Sequence, residues 1–320
     1  MMMRPILCMY YITYRCNARC SFCSIWRDPA LRQVPDCRYE DVIRNLKALK
    51  KTGVKFIDFT GGEPLLHPEL PEFLDAAKQL GLYTTVTTNC RKYPDIAGSI
   101  RGKVNLLHFS LDSMSVKEHD DLRGGSFHDS VMHSIDIALH LGERPDLLFT
   151  VTNENARAIG GLSAFAKEKK LMLIVNPVFG YGGEERIDAE TLDYLEKYGR
   201  KPYVYMNAAL HKLIRNDGNR RTHPRCRAVS STIVISPDNQ VLLPCFHQSN
   251  KEIPISSELT DIMKSLAYQS AKEKQGRYPF CEGCTINCYF DPSFLYKADG
   301  YLLSSLVSKA KYGFDKYVRR

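Results

Sequence analysis

Apolar positions in the first half of the chain alternate between two periods. Short runs at 6–13, 54–60, 83–88, 104–111, 147–152 and 171–178 are rich in Val, Ile, Phe, Thr and Tyr, the residues that fit a pleated surface. Between them the spacing is helical. Val42, Ile43, Leu46 and Leu49 recur on one face before Gly53, and Leu70, Phe73, Leu74, Ala77 and Leu80 repeat that face before Gly81. Residues 130–141 and 158–170 carry the same pattern. Six strands alternating with helices predict right-handed crossovers and a parallel α/β sheet, either doubly wound or curved into a barrel.

Beyond residue 178 the alternation stops. Segments 187–198 and 204–215 read as helices, and a polar, basic bridge follows over 216–225. The change of pattern there predicts a boundary, with one domain over 1–215 and a second over 216–320. The second holds a hairpin, 232–236 with 240–243, turning at Pro237, Asp238 and Asn239, then a helix near 259–272 and a closing helix from about Tyr301.

Composition narrows the class. The chain has 320 residues, 44 basic against 36 acidic, and 44% apolar, which describes a globular protein with only a modest positive balance. No apolar run approaches the roughly 18 residues that span a bilayer, and the run over 6–12 lacks a signal-peptide cleavage site. Eleven cysteines are many for this length, and they cluster. Clustered thiols in a chain without a secretory signal read as metal ligands in a reducing cytoplasm.

The first cluster is Cys16, Cys20 and Cys23, a CxxxCxxC loop directly after the first strand. Three close thiolates can hold three irons of a 4Fe-4S cluster and leave the fourth iron open to substrate or cofactor. A zinc site normally needs four ligands in paired spacing, so zinc is the lesser reading.

Here the chain resembles the radical S-adenosylmethionine (SAM) superfamily, whose signature is this spacing with an aromatic residue before the last cysteine, here Phe22. The likeness extends to Gly61, Gly62, Glu63 and Pro64 after the second strand, where the family binds the amino group of SAM and where glycines admit close backbone approach to a ligand. It includes Ser110 and Asp112 after strand four, Asn153 or Asn155 after strand five, and the Asn176-Pro177 step after strand six, beside the adenine. Thr88-Asn89-Cys90 matches the family's Thr-Asn-Gly with the glycine replaced. The fold implied is a partial (β/α)6 TIM-like barrel, with these residues at the carboxyl ends of its strands. The chemistry implied is reductive cleavage of SAM to methionine and a 5′-deoxyadenosyl radical that abstracts hydrogen from substrate. Asn89, Cys90 and Tyr181 are the substrate-side candidates.

A second set, Cys226, Cys245, Cys281, Cys284 and Cys288, brackets the hairpin and ends in CxxCxxxC. That order resembles the SPASM and twitch extensions of the superfamily, and implies a small α+β domain carrying one auxiliary 4Fe-4S cluster. Cys281 and Cys288 compete for its last position. Cys8, Cys37 and Cys90 read as inert buried thiols.

Three functions remain in play. The first is a cytoplasmic radical SAM enzyme acting on a small molecule or lipid-like substrate, reduced by flavodoxin or ferredoxin. The second is a peptide maturase forming carbon–carbon or carbon–sulfur cross-links, against which the start of the chain almost at strand one weighs. The third is a zinc-containing RNA-binding protein, but no aromatic nucleic-acid signature accompanies the charge, and no nucleic-acid partner is expected. In the last helix, Leu302, Leu303, Leu306, Val307, Ala310, Phe314 and Tyr317 fall on roughly one face among basic residues. Such a face packs on its own domain or touches an anionic membrane surface peripherally.

Overall fold

The computed structural model describes residues 4–179 and 186–319. Ten strands form one sheet: β1 (Leu7–Thr13), β2 (Phe56–Gly61), β3 (Tyr83–Thr88), β4 (Leu106–Ser110), β5 (Asp146–Val151), β6 (Leu173–Pro177), β7 (Val204–Tyr205), β8 (Thr232–Ile235), β9 (Gln240–Leu243) and β10 (Lys251–Pro254). Their order is β10-β9-β8-β1-β2-β3-β4-β5-β6-β7. The six strands read from the pattern are all present, parallel and in sequence order. The hairpin does not form a separate sheet, because β8 pairs in parallel with β1 and carries β9 and β10 with it.

Among the described residues thirteen α-helices accompany the strands: α1 (Tyr39–Thr52), α2 (Leu70–Gln79), α3 (Tyr93–Ile100), α4 (Val116–Arg123), α5 (His128–His140), α6 (Ile159–Lys169), α7 (Ala189–Gly199), α8 (Ala208–Arg215), α9 (Ala228–Ser231), α10 (Leu259–Lys264), α11 (Leu266–Lys274), α12 (Asn287–Ser293) and α13 (Gly300–Gly313). The stop after α1 is the glycine expected: Gly53 takes φ +103 and its N–H closes on the carbonyls of Leu49 and Lys50. The helix expected over 204–215 begins later. Residues 204–205 pair with β6 instead, and the Asn207 side chain caps α8 by accepting from the Ala209 N–H.

The two faces of the sheet differ by the period-2 rule. Ile57 and Phe59 on β2, Val86 on β3, Phe109 on β4 and Phe149 on β5 are fully buried against the helices. Their alternates, Asp58, Thr60, Thr85, Thr87, His108 and Thr150, are half-exposed on the other face. That face curls. Laid flat, β1 and β6 would lie five spacings, about 24 Å, apart. Yet Phe246 stacks on Tyr11 of β1 with ring centroids 4.2 Å apart, Asn287 donates to Asn176 of β6 at 2.6 Å, and the Tyr289 hydroxyl accepts from the Phe246 N–H at 2.8 Å. Phe246, Asn287 and Tyr289 thus reach both strands and are tied to one another, and the concave face becomes a lumen covered by them on its open side.

The lumen is closed at its floor. Asp146 at the start of β5 accepts from the Tyr312 hydroxyl and from Lys316 Nζ, each at 2.6 Å, and His108 Nε2 lies 3.6 Å away. The closing helix therefore packs with its polar side inward. Ser305, Ser308 and Asp315 are buried, whereas Leu303, Leu306, Val307, Phe314 and Tyr317 are exposed. Its cations do not face outward free: Lys309 pairs with Asp291, Lys311 and Arg319 with Asp315, and Lys316 with Asp146. Burial of the apolar stripe in its own domain is overturned, because the neighbouring surface offers hydrogen-bonding groups, Asn207 to Ser305 and the Ala208 N–H to Ser308.

Candidate functional site

The loop after β1 gathers Cys16, Cys20 and Cys23 around Ala18, Phe22 and Phe127. Backbone contacts from two sides shape it. From β2, the Gly62 and Glu63 N–H groups donate to the carbonyls of Thr13 and Arg15 at 2.9 and 2.8 Å. From α4, the carbonyls of Arg123 and Leu122 accept from Arg19 and Ser21 at 3.0 and 2.9 Å. A Cβ on Gly61 or Gly62 would collide with those Thr13 and Arg15 carbonyls, and one on Gly124 would stand 2.6 Å from the Arg19 carbonyl. The first two glycines thus permit a close approach to the cysteine loop. Burial pushes the Cys16 thiol up to about 12 and raises that of Cys23.

Strand ends surround the loop. Glu63 is buried; Oε1 accepts from the Leu65 N–H at 3.0 Å and the Thr88 hydroxyl at 2.8 Å, and Oε2 from the Asn89 N–H at 2.8 Å. Burial outweighs those bonds and lifts its carboxyl to about 7. Asn89 in turn donates to Asn17 beside Cys16 at 2.7 Å. Asp112 is fully buried, with Oδ2 taking Arg123 Nε at 2.6 Å and Oδ1 the Thr150 N–H at 2.9 Å. Ser110 is buried at the end of β4, while Pro64 starts a short turn after β2 and Pro177 ends β6, both buried.

Other expected residues make hydrogen bonds within the chain. Asn155 is spent on its own turn, accepting from the Thr152 N–H at 2.7 Å and donating to the Thr150 carbonyl at 3.0 Å. Asn153 braces residues 186–188, donating to the Arg186 carbonyl and accepting from the Asp188 N–H. Cys90 takes φ +71, the conformation for which the family pattern has glycine, but its thiol is buried among the helix-side core, so it does not face the lumen. Tyr181 lies outside the described residues. A cavity of about 420 Å³, bounded by Phe22, Leu122, Thr152, Asn153, Val178 and Arg186 among others, opens beside the cysteine loop at the ends of β5 and β6. Its size falls within the range of small-ligand pockets. Two hollows of similar volume lie on the outer, helix side by α1, away from every clustered thiol.

The second cysteine set divides. Cys226, Cys245, Cys281 and Cys284 line one small pocket otherwise walled largely by Ala228, Pro244, Phe280, Ile286, Tyr289 and Phe290. Cys288 is absent from that wall; its Sγ lies 3.8 Å from His247 Nε2. Burial raises Cys245 to about 12 and Cys284 to about 11, so these thiols stay protonated at neutral pH unless a metal takes the proton's place. Among the described residues no three His, Cys, Asp or Glu side chains are set to close on a single metal ion. Four soft donors around one enclosed apolar pocket suit an iron–sulfur group, and the three-thiol loop suits one with an open position.

This arrangement of a three-cysteine loop at the end of β1 in a parallel barrel is matched by the family model of the radical SAM superfamily over residues 10–166. Those residues belong to the radical SAM superfamily. The probable GTP 3′,8-cyclase of Sulfolobus acidocaldarius is 24% identical over 287 residues, covering 82% of this chain and 87% of the relative. The GTP 3′,8-cyclase of Campylobacter jejuni (strain RM1221) is 31% identical over 171 residues, about half of each chain, 51% and 52%. Among solved structures, Streptococcus suis SuiB bound to precursor peptide SuiA has a TM-score of 0.70 at 17% identity over 93% of this chain and 76% of SuiB. Native anSMEcpe with bound AdoMet has a TM-score of 0.63 at 14% identity over 98% of both chains. At those identities the structures share the fold. The chain is an enzyme, and the cofactors of its radical SAM domain are SAM and a 4Fe-4S cluster.

Two residues escaped the sequence reading. Arg123 is buried, sits 5.3 Å over the Phe22 ring, places Nη1 3.7 Å from Cys20 Sγ, and leaves Nη2 buried without a partner. Asn219 is fully buried; Nδ2 donates to the carbonyls of Gly276 and Cys281 at 2.8 and 3.0 Å, and Oδ1 accepts from the Arg225 and Cys226 N–H groups at 2.9 and 3.3 Å. It ties the segment before the hairpin to the CxxC. Ser115 with Glu118 and then Gly124 was the signal for α4 and hence Arg123, a capping pair and a stop. The turn-prone Asp217-Gly218 pair was the signal for Asn219.

Proposed function

We propose that this chain is a radical SAM enzyme acting on a polar small molecule held in the barrel lumen, with one auxiliary 4Fe-4S cluster on Cys226, Cys245, Cys281 and Cys284. The observation that carries the reading is the lumen itself, which lies between the three-cysteine loop at one end and the covering segment that bears the second thiol pocket. SAM on the site cluster supplies a 5′-deoxyadenosyl radical able to take hydrogen from unactivated carbon. Cys16, Cys20 and Cys23 would hold that cluster, and the cavity beside Phe22 and Asn153 would hold the nucleoside part of SAM.

The protein's own part is orientation and exclusion. Glu63, fixed by three hydrogen bonds, holds β2 to β3 next to the loop. Arg123 and Asp112 lock α4 against Cys20. Phe246, Asn287 and Tyr289 cover the open side, and the Asp146 network closes the floor against competing hydrogen donors. Hydroxyls, a carboxylate and an imidazole on the lumen wall favour a polar molecule over a lipid-like one. Likeness to GTP 3′,8-cyclases over most of both chains supports a small molecule over a peptide. The site cluster would take its electron from a donor such as flavodoxin or ferredoxin.

Anaerobic reconstitution tests the reading. About eight irons per chain and 5′-deoxyadenosine formation are expected. Zinc without iron would overturn it, and a cross-linked peptide product would move the substrate to the maturase class.

A further inference from the structure

The concave face of the sheet carries a carboxylate that the chain does not satisfy. Asp58 is the middle residue of β2, in register with Met9 of β1 and Thr85 of β3, so its side chain faces the lumen. No group of the described chain donates to either of its oxygens, and although the side chain is half-exposed to the lumen, Oδ1 is sealed from solvent without a partner. Burial lifts its carboxyl to about 6, with the nearby His108 pulling the other way. His108 is already committed, to Thr87 through Nδ1 at 3.3 Å and toward Asp146 through Nε2. Lys316, the cation of the floor, is likewise taken by Asp146. A carboxylate oxygen sealed from water with no donor is costly, and native proteins keep one where something else completes it.

The rest of the wall says what that something is. Thr60 and Thr85, on either side of Asp58 on the same face, make no side-chain hydrogen bond within the described chain. The lumen-facing alternates of β1 to β6 include no lysine or arginine. A nucleoside triphosphate carries several negative charges and is recognised by cations placed on it. Here it would meet an unpaired carboxylate, which repels it. A protonated amine gives Asp58 its missing charge partner, and hydroxyls on the same molecule suit the threonines.

Resting on the radical SAM reading above, we infer that Asp58 anchors a protonated amine on a hydroxyl-rich substrate, and that the lumen is not a nucleoside triphosphate site. The amine seats on Asp58 at mid-lumen, between the loop of Cys16 and the floor at Asp146, while Thr60 and Thr85 meet neighbouring hydroxyls.

The test uses the anaerobically reconstituted enzyme with SAM and three probes: glucosamine, N-acetylglucosamine and GTP, with binding followed by saturation-transfer NMR and calorimetry. Glucosamine is expected to bind, N-acetylglucosamine and GTP to bind at least about tenfold more weakly, and Asp58→Asn to lose about tenfold or more for glucosamine alone. Asp58→Asn without ligand should melt no lower than wild type, because it removes an unpaired buried charge; a lower melting temperature would mean that Asp58 holds the fold. Equal binding of the amine and its N-acetyl form, absence of binding by all three, or GTP binding that depends on Asp58 overturns the inference. Formation of 5′-deoxyadenosine by wild type in the same samples separates the two failures. Its absence removes the enzyme class, whereas its presence with no amine selectivity removes only the role of Asp58.

Discussion

Arg123 Nη1 stands 3.7 Å from Cys20 Sγ while its Nε donates to Asp112 Oδ2 at 2.6 Å, all three side chains being buried. One guanidinium therefore compensates a buried carboxylate and places positive charge beside the Cys20 sulfur. Arg123→Met leaves Asp112 as an uncompensated buried charge, and a loss of about 3–5 kcal/mol in urea unfolding is expected. In the fraction that folds and takes up iron, the site cluster's midpoint potential should fall, since a donor and a cation beside its sulfur are gone. Redox titration followed by electron paramagnetic resonance reads that shift, and an unchanged potential would leave Arg123 a purely structural residue.

The two candidates for the fourth auxiliary position separate by iron content. Cys281 is on the wall of the thiol pocket and Cys288 is not. Cys281→Ser should fall from about eight irons toward four, whereas Cys288→Ser should keep about eight. The reverse pattern would give the position to Cys288. Asn219→Ala should resemble Cys281→Ser, because it frees the Cys226 N–H and the Cys281 carbonyl and costs about 1–3 kcal/mol for each buried group left unpaired.

Glu63 makes stability depend on pH with a definite sign. Its folded pKa of about 7 lies above the unfolded value near 4.3, so between those values the folded state binds the extra proton. Stability from this group is full below the unfolded pKa and is lost as pH rises toward 7, by up to about 4 kcal/mol, levelling above it. Glu63→Gln should remove this component, so the difference between variant and wild type in urea unfolding should change from pH 4.5 to pH 7.5. A constant difference would show that the buried carboxyl keeps an ordinary pKa.

The closing helix inverts the usual rule, and substitutions should report it. Leu306→Lys or Val307→Lys on the exposed stripe should alter stability by no more than about 0.5 kcal/mol. Ser308→Leu should cost about 1–3 kcal/mol, by overfilling the contact with α8 and stranding the Ala208 N–H. Thermal and urea unfolding of the three variants decide the point.

What was legible in the chain had a repeating physical cause. Strands β1 to β6 announce themselves because most of their outward residues are apolar where they meet helices, as Ile57 and Phe59 are, and the stop at Gly53 because only a residue content with positive φ closes that helix. Strands β7 and β10 were silent. The first has two residues, and the second is an exposed edge of Lys251, Glu252, Ile253 and Pro254 with no buried face to write a pattern. Helix α4 buries only His119 and Arg123, so it carries no apolar stripe, and the helix read over 259–272 is split where Ser265 caps a new start. The residues of the first cysteine spacing and of the strand-end motifs at Glu63, Asn89 and Asp112 come together at one end of the sheet. Which polar atoms they bond was not legible, because Asn155, Gly61 and Gly62 are spent on partners far along the chain or on their own turn.

The central claim is that Cys16, Cys20 and Cys23 carry the group on which SAM is cleaved. Anaerobically reconstituted wild type, given SAM and dithionite, should form 5′-deoxyadenosine and methionine in equal amounts, and Cys20→Ala should form neither. Cleavage of SAM by Cys20→Ala at the wild-type rate would contradict the account.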